Sequence, residues 1–165
     1  MDKKWIEHEG VINFWVKSDG ATGKEWITRL EEKGFDIPKW TKEVLLSPDF
    51  KPTKDVETEV AVLKGVMFYD NDRNMEKIRA EAESRTLGKP NAEVACLIRE
   101  KFSDEEIEAM GLWAIFIMHE PIKDSAGELL TLAVERRAGG NSLAGYTDKP
   151  GQMREKGEGF AFVSA

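Results

Sequence analysis

The chain has 165 residues, of which 41% are hydrophobic and 33% charged, and its formal net charge is −7. This length and composition predict one soluble globular domain with a substantial core and exclude a largely disordered chain. The acidic balance disfavours broad binding to nucleic acid or to an anionic membrane, because both need a basic surface. The single cysteine, Cys96, excludes an internal disulfide and a site built from several cysteines.

The first residues lack the apolar core of a signal peptide, and no apolar run approaches the roughly 18 residues that a membrane span needs. One isolated cysteine also fits a reducing compartment. The expected location is therefore the cytoplasm.

The first half of the chain predicts a strand followed by two helices. Residues 11–17 alternate in the manner of a strand. Thr22 and Glu25 form a capping box, which predicts a helix from there to about Lys33. Pro38 stands where a second helix would begin.

The middle of the chain predicts a strand at 59–69 and a helix at 73–87. Residues 91–102 have apolar side chains at helical spacing, and a helix is favoured there, although a short buried strand is an open alternative. Ser103 and Glu106 form a second capping box, which predicts a further short helix.

The last third predicts three strands and a long loop. The apolar run 112–118 is typical of a buried strand, and 160–164 alternates as a terminal strand. Residues 130–135 alternate apolar with polar or small side chains, which indicates a strand with one buried face. Residues 138–159, rich in glycine, predict a long loop, and long loops inside compact domains are commonly functional. Leu143 is the expected anchor of this segment to the core, and it would divide the segment into a short strand near Ser142–Thr147 and an outer loop beyond it.

These elements predict an α+β fold, in which an antiparallel sheet packs with helices in a single domain, 1–165. Residues 1–110 would form a helical and strand scaffold. Residues 111–165 would form C-terminal antiparallel strands that carry the loop 138–159.

Few residues are candidates for chemistry. Cys96 and His119 are the one conceivable thiol–imidazole pair, but apolar neighbours predict that Cys96 is buried and inert. His119 is better explained as a strand-end residue hydrogen-bonded to its neighbours. His8 and His119 are isolated, so neither a metal site nor a cofactor is predicted. Four tryptophans fall on predicted apolar faces, which favours core packing: Trp15, Trp26, Trp40 and Trp113.

Two features together carry a resemblance to known families. The order of strand, two helices, long middle and antiparallel strands with a late loop resembles the C-type lectin-like fold. The block from Gly139 to Gly151, followed by Gly159-Phe160-Ala161-Phe162-Val163, is similar to the C-terminal block of uncharacterised bacterial proteins, many from reduced-genome lineages. In those proteins the residues inside the block vary greatly, which is similar to the variable proteins of diversity-generating retroelements.

The resemblance implies that the first and last strands, 11–17 and 160–164, pair, and that the loop between them binds ligand. It does not imply calcium-dependent sugar binding. The Glu-Pro-Asn tripeptide of true lectins is absent, and Lys149 places a cation where an oxygen ligand would be needed.

The function predicted is recognition of a protein or other ligand by the loop 138–159, and no catalysis is expected. Two alternatives stay open, a small cytoplasmic enzyme that uses Cys96 or His119 and an acidic protein-interaction or regulatory protein. A merely solvated loop is a further possibility, and the oligomeric state is open. The predicted ligand-binding residues have the small polar and amphipathic side chains that paratopes use: Asn141, Ser142, Tyr146, Thr147, Asp148, Gln152 and Arg154.

Overall fold

The computed structural model describes residues 4–137 and 140–165, without the side chains of Arg137 and Asn141. Within these residues the chain forms five α-helices: α1 (Gly23–Glu32), α2 (Lys39–Leu45), α3 (Met75–Ser84), α4 (Glu93–Lys101) and α5 (Asp104–Ala109). Two 3-10 turns, Gly65–Met67 and Asp70–Asp72, precede α3. The ten strands are β1 (Ile6–His8), β2 (Val11–Asp19), β3 (Phe35–Asp36), β4 (Lys54–Lys64), β5 (Leu87–Gly88), β6 (Ala114–Ile117), β7 (Ile122–Lys123), β8 (Leu129–Arg137), β9 (Gly140–Thr147) and β10 (Glu158–Ser164).

The ten strands form one sheet in the order β1-β2-β4-β10-β6-β8-β9-β3, with β5 beside β10 and β7 beside β8. The expected α+β character is confirmed, but the sheet is mixed and not purely antiparallel, because β6 runs parallel to β10 and β3 runs parallel to β9. The two predicted parts of the chain also interleave, since β10 lies between β4 and β6.

The predicted pairing of the first strand with the last is wrong. Strand β4 lies between them and pairs antiparallel with β2 on one side and with β10 on the other. Its side chains Val60 and Val62 are fully buried, which explains why an eleven-residue strand takes the central position.

One face of the sheet, called here the first face, is covered by α1, α2, α4 and α5. Its core is one apolar cluster that includes Ile12 and Phe14 of β2, Val62 of β4, Trp26 of α1 and Ile98 of α4. Both predicted capping boxes are confirmed, since Thr22 caps α1 and Ser103 caps α5.

The opposite face, called the second face, is covered by α3. A smaller cluster joins Met75 and Ile78 of α3 to Phe116 of β6 and Phe160 of β10. Asn74 is the N-cap of α3, accepting a hydrogen bond from the Lys77 N–H, so the helix starts later than predicted.

Several predicted boundaries change. The strand predicted at 59–69 is β4, 54–64, and the chain turns at Gly65 because the first 3-10 turn begins there. The helix predicted at 73–87 ends at Ser84, and Leu87 belongs to β5. Residues 91–102 contain α4, which resolves that ambiguity in favour of a helix.

Much of the segment 138–159 is strand and not loop, and the expected short strand near Ser142–Thr147 with Leu143 as its anchor is confirmed. Residues 140–147 form β9, which pairs along its length with β8, and β10 already begins at Glu158. Leu143 anchors β9 in the first-face core, where it is fully buried. Residues 138–139 lie outside the described residues.

Candidate functional site

Residues 148–157, called here the connector, link β9 to β10 and cross the second face next to α3. Met153 forms an isolated antiparallel bridge with Asn74, and the Arg154 N–H donates to the Arg73 carbonyl at 2.7 Å. The backbone also approaches Gly65 so closely that a Cβ there would lie 2.6 Å from the Glu155 carbonyl oxygen. The connector is therefore attached to the scaffold through its backbone.

A row of polar side chains lies across the second face beside this segment. Strand register places Ser142 of β9 opposite Glu135 of β8, Glu135 opposite Ala114 of β6, and Ala114 opposite Glu158 of β10. Residues paired in this way point to the same side of a sheet. Ser142, Glu135, Ala114 and Glu158 are called here the polar row, and each is at most 1% exposed.

Arg154 of the connector reaches this row. Its guanidinium carbon lies 4.6 Å from the ring centroid of Phe116 and 5.9 Å from that of Tyr146. Its Nε lies 3.4 Å from Glu158 Oε1. Aromatic faces and a carboxylate both stabilise a guanidinium in this position.

Two hydrogen bonds organise the carboxylates of the row. The Tyr146 hydroxyl donates a hydrogen bond to Glu135. The Glu155 N–H donates to Glu158 Oε1 at 2.7 Å. The carboxylates thus face both β9 and the connector, the two segments that carry the residues predicted to bind ligand.

The pKa of Glu158 is raised, chiefly because burial disfavours the charged carboxylate. The hydrogen bond from Glu155 and the charge of Arg154 counteract this shift, whereas the charges of Glu155 and Glu135 add to it. Burial therefore prevails over the hydrogen bond and the positive charge, and the neutral form of Glu158 is favoured relative to an exposed glutamate.

Buried polar atoms without a hydrogen-bond partner concentrate in this part of the described chain. Five of the eight such atoms in the described residues lie here, namely Ser142 Oγ, Gln152 Oε1, Glu158 Oε2 and the Arg154 Nη1 and Nε, of which Nε is close to Glu158 but poorly aligned for a hydrogen bond. The other three belong to Arg29, Thr41 and Arg99, on the first-face side. Buried polar groups are rarely left unpaired, and such groups commonly mark a place where water or a ligand binds.

Asp148 holds the first residue of the connector to the sheet and to α3. Arg79 Nη2 donates to its Oδ2 at 2.7 Å, and the Thr131 hydroxyl donates to the same oxygen at 2.6 Å. Burial acts to raise the pKa of Asp148, but the hydrogen bonds from Arg79 and Thr131 outweigh burial and hold this pKa below its usual value. Asp148 is therefore a structural anchor of the connector.

His119 is hydrogen-bonded to its neighbours, as predicted. Its Nδ1 lies 2.7 Å from the Glu120 carbonyl, and its Nε2 accepts from the Leu132 N–H at 3.0 Å. This arrangement needs a neutral ring that carries its proton on Nδ1. Burial also lowers the pKa of His119, so both ring nitrogens are engaged in the neutral state.

Cys96 is fully buried in the first-face cluster, as predicted. Burial raises the pKa of its thiol, because a thiolate is poorly stabilised in an apolar core. The charges that act on it belong to Glu93, Arg29 and Glu100, all on the first-face side of the fold. A thiolate nucleophile is therefore disfavoured at this position.

The structure brings together only part of the predicted ligand-binding set. Ser142, Tyr146 and Arg154 meet at the polar row, and Gln152 contributes a buried amide oxygen in the same segment. Asp148 anchors the connector instead, and Thr147 ends β9 opposite Leu130. The backbone of Asn141 pairs with β8 and β3, and its side chain lies outside the described residues.

Sequence reasoning missed Glu135 and Glu158, the carboxylates at the centre of the site. Glu135 shares its side of β8 with Thr131 and Ala133, a pattern that suggested solvent, but all three are buried. The prediction that β8 has a single buried face is therefore wrong, because α3 and the connector cover its other side.

Two of the four tryptophans assigned to the core also lie elsewhere. Trp26 is 1% exposed, whereas Trp15 is 58% and Trp40 is 49% exposed.

Among residues 4–137 and 140–165, no helix is both long and apolar enough to cross a membrane. The same residues contain no group of three or more His, Cys, Asp or Glu side chains placed to hold a metal ion. Comparison of the chain with protein-family models, with curated proteins and with solved structures finds no match.

Proposed function

We propose that this protein is a recognition domain that binds a protein or other ligand at the connector and the polar row beneath it. The observation that carries this proposal is the concentration of buried, unpartnered polar atoms on Ser142, Gln152, Arg154 and Glu158. Each is a donor or acceptor with unused hydrogen-bonding capacity. The connector covers these atoms, so a ligand would reach them by binding at the connector and displacing it, and a site that forms such hydrogen bonds discriminates strongly among ligands.

The exposed side of the connector extends this surface. Lys149, Met153 and Lys156 are exposed, and Met153 retains 49% of its accessible surface. Methionine adapts its shape to a partner more readily than a branched side chain. A ligand that contacts Met153 would lie directly over the segment that supplies Gln152 and Arg154.

The resemblance to the C-type lectin-like fold, and through it to the variable proteins of diversity-generating retroelements, enters this proposal only as a prediction about the scaffold. In that fold the first and last strands pair, whereas β4 separates β2 from β10 here. The proposal therefore rests on the contacts of the connector. We place the protein in the cytoplasm, where the lone thiol of Cys96 would stay reduced.

Site-specific photo-crosslinking in cells tests the proposal. A photoreactive amino acid replaces Met153 in one variant and Leu46 in a control variant. Leu46 is 58% exposed at the end of α2, on the first-face side of the molecule, and is thus a matched apolar position. We expect a defined crosslinked species from position 153 and none from position 46.

Substitution of the exposed connector residues completes the test. A triple variant changes Lys149, Met153 and Lys156 to Ser. It should abolish the crosslink from a photoreactive residue placed at Pro150, and its melting temperature should be nearly unchanged. The control set is Lys24, Leu46 and Lys51, changed in the same way. Equal crosslinking from both probe positions, or a crosslink that survives the connector substitutions, would contradict the proposal.

A further inference from the structure

The outer edge of β2 is only partly paired. Strand β1 pairs with Val11, Ile12 and Asn13, and among residues 4–137 and 140–165 no strand continues that pairing beyond Asn13. Residues 4–5 turn away towards the end of α4, where the Lys4 ammonium donates to the Lys101 carbonyl at 3.0 Å. Lys4 and Trp5 lie beside Phe14 and Trp15, but within residues 4–137 and 140–165 no strand pairs with the edge from Phe14 onward.

The hairpin fixes which backbone groups point outward along this edge. Glu9 and Gly10 form a two-residue turn with φ of 50° and 81°, and such a turn makes His8 and Val11 a hydrogen-bonded pair. Hydrogen-bonded and non-hydrogen-bonded positions alternate along an antiparallel strand. The N–H and C=O groups of Trp15 and Lys17 therefore point out of the sheet, as those of Val11 and Asn13 point to β1.

A groove of about 580 Å³ accompanies this edge. Trp15, Val16 and Lys17 line one side of it, and Leu97 and Lys101 of α4 line the other. Trp15 is 58% exposed, so its indole ring is accessible to a second molecule beside the groove. The groove and the ring together offer more contact area than the edge alone.

We infer that this edge pairs antiparallel with the same edge of a second copy of the chain, around a two-fold axis at Val16. Strand addition at a free edge is a common mode of recognition, and a two-fold interface requires a self-complementary surface. This interface is separate from the connector, and so it extends the function beyond ligand recognition.

The axis at Val16 follows by elimination of the two neighbouring registers. A register with Trp15 opposite Trp15 would place Lys17 of the second copy against Asn13, whose outward groups already pair with Ile6 of β1. A register with Lys17 opposite Lys17 would set like charges directly across from each other. Trp15 opposite Lys17 avoids both conflicts and uses both outward-facing residues of each copy.

Side-chain chemistry in this register is complementary. On the second face Lys17 lies opposite Glu57 of β4, and Trp15 lies opposite Glu59. Across the axis, neighbouring side chains would follow in the order Glu57, Lys17, then Trp15 and Glu59 of the second copy. Each lysine ammonium would thus lie between a carboxylate and an indole ring, and both stabilise a cation.

The ends of the paired region are also set by this chain. A register irregularity follows Lys17, where β4 carries one residue more than β2, and it twists the paired strands after the fourth residue of the free edge. The second copy's strand would therefore diverge where it approaches β1. A short paired segment with a groove lies at the small end of stable interfaces, so we expect a concentration-dependent dimer.

Sedimentation velocity of the full chain tests the inference between about 1 μM and about 1 mM, the range in which small interfaces dissociate. The mass should rise from 18.6 kDa towards twice that value. Hydrogen exchange should show greater protection of the Trp15 and Lys17 amides at the higher concentration. Exchange on the wild-type chain keeps the test valid even if a variant fails to fold.

Two substitutions of Lys17 separate this edge from any other interface. Lys17→Pro removes an outward N–H that β4 does not use, and proline is tolerated at such edge positions. Lys17→Glu sets a carboxylate beside Glu57 and removes the ammonium that would lie between Glu57 and Trp15 of the second copy. Both variants should stay monomeric at every concentration, whereas Lys51→Glu, a matched charge change in an exposed segment, should dimerise as wild type does.

Three results would overturn the inference. They are a mass of 18.6 kDa at every concentration, dimerisation of both Lys17 variants as in wild type, or Trp15 and Lys17 amides whose protection does not depend on concentration. Protection of those amides only after a different protein is added would assign the edge to a foreign strand instead.

Discussion

The two faces of the sheet are built by different means. The first face packs against four helices through apolar side chains such as Trp26, Leu30 and Ile98. Its buried charges include Arg99, which pairs with Asp104, and Glu93, which accepts from the Thr53 N–H. The second face has one helix, a smaller apolar cluster and a connector held by charged hydrogen bonds. Apolar packing is insensitive to pH, whereas the carboxylates of the second face respond to it. The comparison assigns stability mainly to one face and adaptable chemistry to the other.

Trp26→Ala should have the largest effect, because it opens a cavity in the first-face core. Trp26 is 1% exposed, and we expect a loss of about 3–5 kcal/mol in the free energy of unfolding. Chemical denaturation measures this loss. Trp15→Ala is the matched control and should cost no more than about 0.5–1 kcal/mol, since Trp15 is 58% exposed. Equal losses in the two variants would refute the assignment of stability to the first face.

Asp148→Asn should come second, because it weakens the hydrogen bonds from Arg79 and Thr131 that anchor the connector. Hydrogen bonds to charged groups contribute about 1.5–3 kcal/mol each, so a loss within that range is expected near neutral pH.

The pH dependence of this loss has a definite sign. The pKa of Asp148 is lower in the folded state than its usual value, so its stabilisation is present above the usual value. It disappears as the pH falls through the lowered pKa. Wild type and Asp148→Asn should therefore converge in acid, when stability is measured by urea denaturation at several pH values. Asp49→Asn, at an exposed position, is the control, and a gap that persists in acid would contradict the assignment.

Glu158→Gln should have a smaller effect of opposite sign. Because the pKa of Glu158 is raised in the folded state, wild type gains stability when this carboxyl is protonated and loses it as the pH rises through the raised pKa. The Gln variant should match wild type in acid and become the more stable protein near neutral pH. The same denaturation series measures this difference, and a wild type that stays the more stable near neutral pH would disprove it.

The smallest effect is expected at Cys96, whose thiol should be nearly unreactive in the native protein. The side chain is fully buried in the first-face cluster, and burial raises the pKa of the thiol. A chromogenic disulfide reagent should modify native protein only at the rate of unfolding, and urea-unfolded protein at once. Rapid modification of the native state would favour the enzymatic alternative that uses Cys96.

The sequence by itself determined the local elements, because local interactions stabilise them. The Thr22–Glu25 and Ser103–Glu106 capping boxes identify α1 and α5, since their hydrogen bonds join residues three apart. The alternation in 11–17 identifies β2, and Leu143 is recognisable as an anchor by being a large apolar residue in a polar block. In each case the decisive contact or pattern lies within a few residues.

Only the tertiary structure decided which strands are neighbours and which faces are covered. The position of β4 between β2 and β10 depends on contacts between residues far apart in the chain, which no local pattern records. The same reason hides the candidate site. Glu135 and Glu158 lie in one row because both pair with Ala114 of β6, the strand between β8 and β10. The small side chain of Ala114 leaves space between the two carboxylates. Glu135 occupies a polar position in an alternating strand and Glu158 falls in the predicted loop 138–159, so neither position predicts burial. In the structure α3 and the connector bury both, and burial gives Glu158 its raised pKa.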